Sequence, residues 1–351
     1  MEQDAGNKEA ENGKGKEDGA KEAKEGGRTK MEGPIICPGH SRPVPDLSFS
    51  KATDDGVFLI SACLDGKAMV REGLSGDWIG TFLGHKGAVW CARLNENADR
   101  AVTGSADFTA KLWNSVSGDE LHTWSHKHIV KSCVFSKDSG HVFTGGQETK
   151  LRIFDVNKPD ADPQVSFSSP IAAGVRGPHF LHLRHFSRTR WVVDLANQRR
   201  SQSHCIVCER SQSQVTHLSM SSDEKTIVCA AEKKIHFWNA TTFELVKTFD
   251  LPRVIESVAY HPASKRFVTG CPTELWVRGY EFDSGSEIGA QFLPTDFFVV
   301  CNKGHHGPVR CLSFHPSGDT YASGSEDGTI RIWEWSHEAK AGTDGDSSSS
   351  S

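Results

Sequence analysis

The sequence predicts an all-β molecule: seven small four-stranded antiparallel sheets arranged in a ring, the fourth degenerate or disrupted, with a disordered tail at each end. Three observations carry this. The decamer GSADFTAKLW (104–113) returns as GSEDGTIRIW (324–333), identical at its Gly, Ser, Asp, Thr and Trp. Segments that open on Gly-His, or on an equivalent position, and run into an alternating apolar strand start at His40, His85, His126, Ser211, Leu251 and His305. Their intervals are 45, 41, 85, 40 and 54 residues. The 85 is two periods of about 42, and the 54 is one period plus a surplus, so seven units are implied and six are legible. Each legible unit also breaks into short alternating runs separated by turn residues.

Taken in order, residues 1–32 are almost wholly Lys, Glu, Gly, Ala, Asp and Asn and read as a disordered charged tail. The repeat domain spans 33–336. Unit one has His40 and Asp65, with Arg71 where Trp is expected. Unit two is the clearest: AVWCARLN, RAVTGSA, TAKLWNS and ELHTWS are its four strands, with NENAD, ADF and VSGD as turns. Asp107 lies 22 residues after His85 and six before Trp113, and Asp327 has the same offsets from His305 and Trp333 in unit seven. This spacing suits a His–Asp–Ser/Thr–Trp hydrogen-bond network tying the incoming loop to its sheet, because buried polar groups need partners. Unit three keeps His126 but has Glu148 and Phe154; unit five keeps Trp238 without the His. Unit seven lacks an evident fourth strand. The segment GPIICPGH (33–40) could supply it by laying Ile35–Cys37 beside Ile330–Trp333, which removes exposed edges. Residues 337–351 form a Ser-rich disordered tail.

Residues 164–213 break the pattern, with seven Arg, no Lys and two acidic residues in a chain otherwise rich in Lys. A divergent fourth sheet, an inserted basic RNA-binding arm and translated sequence foreign to the protein all fit. The abrupt change of composition favours the last. The same reading covers AQFLPTDFFVV (290–300), an insertion whose removal restores a 43-residue period.

Composition narrows the function classes. A net charge of −5 gives no global reason to expect nucleic-acid or membrane binding. No run of 18 apolar residues exists, and the first residues carry no apolar stretch of the secretory kind. The ten cysteines sit in apolar contexts and read as reduced, buried thiols. His204-Cys205-x-x-Cys208 is half of a zinc spacing without its second half, so no metal or cofactor is expected. Nucleophile-elbow, phosphate-loop, kinase and dinucleotide motifs are absent, and no small-molecule substrate is implied. The His–Asp–Trp sets recur, whereas an enzyme needs one site, so they read as structure. Candidate partner contacts are Lys86 and Phe108 of unit two with Lys127 and His128 of unit three, on loops that gather on one face.

A 40–45-residue period with Gly-His near its start and Trp near its end resembles the WD40 repeat family of seven-bladed β-propellers. Within it, GDWIGTFLGHKGAVW (76–90), ADFTAKLWNSVSGDEL (106–121), HKHIVKSCVFS (126–136), TGGQETKLRIFDVNKP (144–159) and GHHGPVRCLSFHPSGDTYASGSEDGTIRIW (304–333) resemble the serine-threonine kinase receptor-associated, or unr-interacting, family. The likeness covers 34–160 and 214–335. It implies a non-catalytic scaffold in the survival-of-motor-neuron assembly that loads Sm proteins onto spliceosomal small nuclear RNAs. The place of action would be cytoplasm and nucleus, with protein partners, RNA met only indirectly, and in animals receptor kinases as further partners. A translation-initiation propeller subunit is the alternative within scaffolds, and a propeller hydrolase the alternative outside them.

Overall fold

A computed structural model describes residues 33–148, 150–168, 182–185, 191–195, 204–207, 215–242, 244–285, 287–288 and 302–335. Both expected tails, most of 164–213 and all of 290–300 lie outside them. The described secondary structure is all β, in seven antiparallel sheets. In chain order the first has strands Asp46–Phe49, Phe58–Ala62, Ala68–Glu72 and Trp78–Phe82. The second has Val89–Leu94, Arg100–Ser105, Thr109–Asn114 and Glu120–Ser125. The third has Val130–Phe135, His141–Gly146, Lys150–Asp155 and Gln164–Ser168.

The fourth sheet has three strands, His182–His185, Trp191–Leu195 and His204–Val207. The stretch read as lacking a blade pattern thus contains a sheet, and its first residues close the third one. The fifth has Val215–Met220, Thr226–Ala231, Lys234–Asn239 and Leu245–Asp250. The sixth has Ser257–His261, Arg266–Gly270, Trp276–Glu281 and two short outer pieces, Glu287–Ile288 and Asn302–Lys303. The seventh joins Val309–Phe314, Thr320–Ser325 and Ile330–Glu334 to Ile35–Cys37 from the other end of the domain, with Ile35 opposite Ile332 and Cys37 opposite Ile330.

Alternation alone would bury one face per sheet. In sheets one, two, three, five, six and seven the inner three strands bury residues on both faces, because apolar layers fill the gaps from the fifth sheet round to the third. Val228, Phe237, Phe267 and Tyr280 pack between the fifth and sixth sheets, and Val268, Leu312, Tyr321 and Trp333 between the sixth and seventh. Leu47, Leu59, Cys311 and Ile330 pack between the seventh and first, Val70, Phe82, Ala101 and Trp113 between the first and second, and Val102, Leu112, Trp124 and Phe154 between the second and third. At about 25 cal/mol per Å² of apolar surface, these layers are the main stabilising term. A buried Arg93–Asp46 pair, bidentate at 2.6 and 2.9 Å, also crosses from the second sheet to the first.

The innermost strands of sheets two, three, five and seven share one irregularity. The register slips after the first residue, leaving Trp90, Lys131, Thr216 and Arg310 out of the ladder. A bulge re-aims a side chain, and each of these reaches sideways. Lys131 Nζ sits 5.0 Å from the Trp90 ring, Thr216 Oγ1 donates to Ile255 O at 2.7 Å, and Arg310 pairs with Glu256 at 2.9 Å.

The first turns of sheets one, two, three and five converge on the inner axis. Lys51 Nζ lies 2.7 Å from both Glu96 and Glu224, and Lys137 Nζ lies 2.9 Å from Glu224. Sheets three and five, the ends of the packed succession, are therefore in direct contact at its centre. They flank a cavity of about 1560 Å³ lined by the inner strands and first turns of sheets one, two, three, five, six and seven.

Candidate functional site: the loop face of the sheets

In sheet two the sequence offsets become one relay. Trp113 Nε1–H donates to Thr103 Oγ1 at 2.8 Å, Thr103 Oγ1 bonds His85 Nε2 at 2.7 Å, and His85 Nδ1 bonds Asp107 Oδ2 at 2.8 Å. The donors balance with a neutral imidazole carrying its proton on Nδ1. Asp107 also accepts the Lys86 N–H at 2.9 Å and the Thr109 hydroxyl at 2.6 Å. Burial, the largest influence, pushes its carboxyl up, but the bonds from His85, Thr109 and Lys86 outweigh it and hold the group far below the usual range. Sheet seven repeats the set: Trp333 to Ser323 at 2.7 Å, Ser323 to His305 at 2.7 Å and His305 to Asp327 at 3.1 Å. Burial lowers His305 to about 4, only partly offset by Asp327. Asp327 is raised by burial but drawn down further, to about 2, by Thr329, the His306 N–H and His305.

Sheet one keeps His40 on Asp65 at 3.3 Å and on Ser61 at 2.9 Å. Arg71, at the Trp place and 3% exposed, does something else. It donates to Gly76 O at 3.1 Å and to Pro38 O, clasping the first sheet to the chain that leaves Ile35–Cys37.

In sheet three His126 bonds Thr144 at 2.7 Å but turns Nδ1 to Trp124 O at 3.1 Å, not to Glu148, and Phe154 meets the imidazole edge-on. Glu148 instead holds Arg152, with Nη2 at 3.0 Å. Sheet six has the same Glu-x-x-x-Arg device: Glu274 accepts from Arg278 Nε at 3.1 Å and also binds Arg253. Those arginines stand beside Thr144 and Thr269 in the ladder. The spacing stands in the sequence as ETKLR (148–152) and ELWVR (274–278), where Glu and Arg take over from the His–Asp pair.

Trp238 stands outside any such network. Its register matches Trp113, but Cys229 occupies the Thr103 position, and the tight Ala231–Lys234 hairpin has no room for an Asp turn. The Trp238 indole nitrogen is buried with no hydrogen-bond partner.

His40, Cys63 and Asp65 bring three ligand-type atoms within 4.8 Å of one another. Cys63, however, takes the place of Ser105. It donates to Arg42 O at 3.0 Å and accepts the Asp65 N–H at 3.3 Å, as Ser105 does with Gly87 O and the Asp107 N–H, both at 3.1 Å. Burial pushes its thiol up to about 12, away from the thiolate a metal requires. The trio is one more copy of the network. The side chains of the His204-Cys205-x-x-Cys208 stretch lie outside the described residues.

The four candidate contact residues share the loop face. Lys86, Lys127 and His128 are exposed, and Phe108 is 44% exposed. His126 N–H donates to Phe108 O at 2.8 Å, and the Phe108 and His128 rings meet edge-on at 5.7 Å. Phe108 has φ +67°, at the place where sheets one and seven use Gly66 (+89°) and Gly328 (+78°). A bulky side chain there costs about 1 kcal/mol or more.

Comparison with known proteins matches this architecture. The WD domain, G-beta repeat model matches residues 76–114, 118–155 and 298–334. The serine-threonine kinase receptor-associated protein of Dictyostelium discoideum is 41% identical over 307 residues, 87% of this chain and 99% of that one. Its Gallus gallus counterpart is 44% identical over 313 residues, 86% and 82% of the two chains. Eukaryotic translation initiation factor 3 subunit I of Nematostella vectensis reaches 29% over 318 residues. With its His–Asp relays, its layered antiparallel sheets and relatives more than 40% identical over 82–99% of their length, this chain belongs to the serine-threonine kinase receptor-associated protein family of WD40 repeat proteins.

Proposed function

We propose that this protein is a non-catalytic scaffold for protein–protein contacts, working in the survival-of-motor-neuron assembly that builds spliceosomal ribonucleoproteins and so supports mRNA splicing. It acts in cytoplasm and nucleus, with receptor-kinase signalling as a second setting suggested by the relatives' name. The observation that carries the reading is 41–44% identity spread over 82–99% of those relatives. The polar sets agree with it: the three His–Asp pairs are engaged by their own sheets, leaving no free acid–base pair in them for a substrate. Among the described residues no helix is long and apolar enough to cross a membrane.

Affinity purification of the full-length protein followed by mass spectrometry tests it. Recovery of Sm and assembly-complex proteins is expected. Recovery of initiation-factor subunits instead would favour the initiation reading, whose relative is less similar but covers 85% of this chain. Metal-dependent turnover of an ester would overturn both.

A further inference from the structure

Loop contacts join the candidate residues into a longer row than the sequence suggested. A Cβ on Gly328 would meet Arg42 O at 3.2 Å, and one on Gly66 would meet Gly87 O at 3.3 Å, so each turn rests on the loop entering the next sheet. The loop face of sheets one to three therefore runs from Arg42 through Lys67 and Lys86 to Phe108, Lys127 and His128. All six are exposed. None of the four cations has a carboxylate within salt-bridge distance among the described residues, unlike Lys51, Lys111 and Arg310, though like Arg100, Lys158 and Lys225 elsewhere. The row's own carboxylates are engaged by backbone or neighbours: Asp65 accepts the Ser41 and Lys67 N–H groups, Asp107 those of Lys86 and Thr109, and Glu148 that of Lys127 at 3.4 Å while holding Arg152. They lie beneath the lysines and reduce the field without occupying them. In the midst stands an aromatic residue in a backbone conformation that its sister turns give to glycine. Strain kept at an exposed tip points to a use.

Resting on the scaffold reading above, we propose that this row is the docking surface for an acidic protein segment that carries one bulky apolar side chain. The carboxylates of the segment would meet Arg42, Lys67, Lys86 and Lys127, and its apolar side chain would lie against Phe108 and His128. Charge complementarity selects the partner's sign, and the single aromatic anchor fits one side chain better than a run of stacked bases.

The test uses the full-length chain with photoreactive benzoylphenylalanine in place of Phe108. It is irradiated in the native complexes recovered by affinity purification, and the cross-linked segment is sequenced by mass spectrometry. A net-acidic segment with a large apolar residue at the cross-link is expected. Its yield should fall about tenfold in a K67E/K86E/K127E background and drop on raising salt. Phe108→Gly should melt at higher temperature and yet hold the partner more weakly, which a merely packed Phe would not do. A cross-link to RNA, to a neutral or basic segment, or to nothing overturns the proposal, as does undiminished yield in the triple variant. An acidic cross-link within a complex of other composition would sink the assembly reading but not this surface. The expected complex recovered with an empty or misplaced cross-link would do the reverse.

Discussion

At the scale of single residues, the hydroxyl between His and Trp is the hub of each relay. Thr103→Val keeps the shape but leaves the buried Trp113 N–H and His85 Nε2 without their partner. A loss of about 2–4 kcal/mol, read by denaturant unfolding, is expected. The converse change tests the same idea, since Cys229→Ser offers the unpartnered Trp238 nitrogen an acceptor and should stabilise by about 1 kcal/mol. Acid should expose the buried imidazoles. Burial lowers both His305 and His126 to about 4, with Arg152 adding to the effect on His126. A folded pKa below the unfolded value near 6.5 means that the unfolded chain takes up the proton first. Their contribution is therefore intact above pH 6.5 and lost as pH falls toward 4, by up to about 1.4 kcal/mol per pH unit for each histidine. Unfolding curves across that window should show a falling stability, and His305→Gln should remove only that residue's share of the slope, because burial also lowers His40, His126, His236, His261 and His315. A flat profile from pH 7 to 4.5 would contradict it.

At the scale of strands and sheets, what could be read from the letters was whatever repeated in them. The four strands of unit two fall within a residue or two of their expected places, because alternation and turn residues agree there. Trp238 misled because its letter survived while the hydroxyl and the Asp turn that give it meaning did not. The clasp of Arg71 and the Arg93–Asp46 pair were hidden for the opposite reason: a charged residue inside an apolar strand looks like noise until its partner on another sheet is seen. The sixth sheet makes the surplus segment testable. Ile288 pairs with Gly279 and Asn302 with Val277, both antiparallel but in registers twelve residues apart. An unbroken strand would put residue 290 opposite Val277, so the chain between carries twelve residues more than the strand needs. Deleting residues 290–301 should leave a continuous outer strand and an equal or slightly higher melting temperature, since shortening a loop lowers its closure entropy by about 0.5 kcal/mol or so. A melting point several degrees lower would mean that the segment belongs to the fold.

At the scale of the whole domain, the most distant parts of the sequence are joined by a few short contacts. Sheets three and five meet through Lys137 and Glu224, whose carboxyl is drawn down to about 2, mainly by the bond from Lys51 and also by that from Lys137, against burial. These side chains are a third to three-quarters exposed, so the cluster adds little energy and mainly records proximity. The stronger tie is Ile35–Cys37 on the edge of Ile330–Glu334. Cys37 is buried there against Ile330 and Ile332, and Arg71 locks the chain that follows. Without it, the last sheet would end in an open edge beside its apolar layer, the kind of strand that recruits other chains. Two truncations separate this role from that of the charged tail. A chain starting at residue 33 should unfold with the full-length midpoint, because the strand is retained. A chain starting at residue 39 loses the strand's backbone pairing, the Cys37 packing and the Pro38 carbonyl at once. It should lose several kcal/mol and elute partly as aggregates on size exclusion. Arg71→Met removes the clasp alone and should fall between the two in stability while staying monomeric. If the chain from residue 39 matched full length in midpoint and elution, the closing strand would be ornament, and the domain would owe its cohesion to the apolar layers alone.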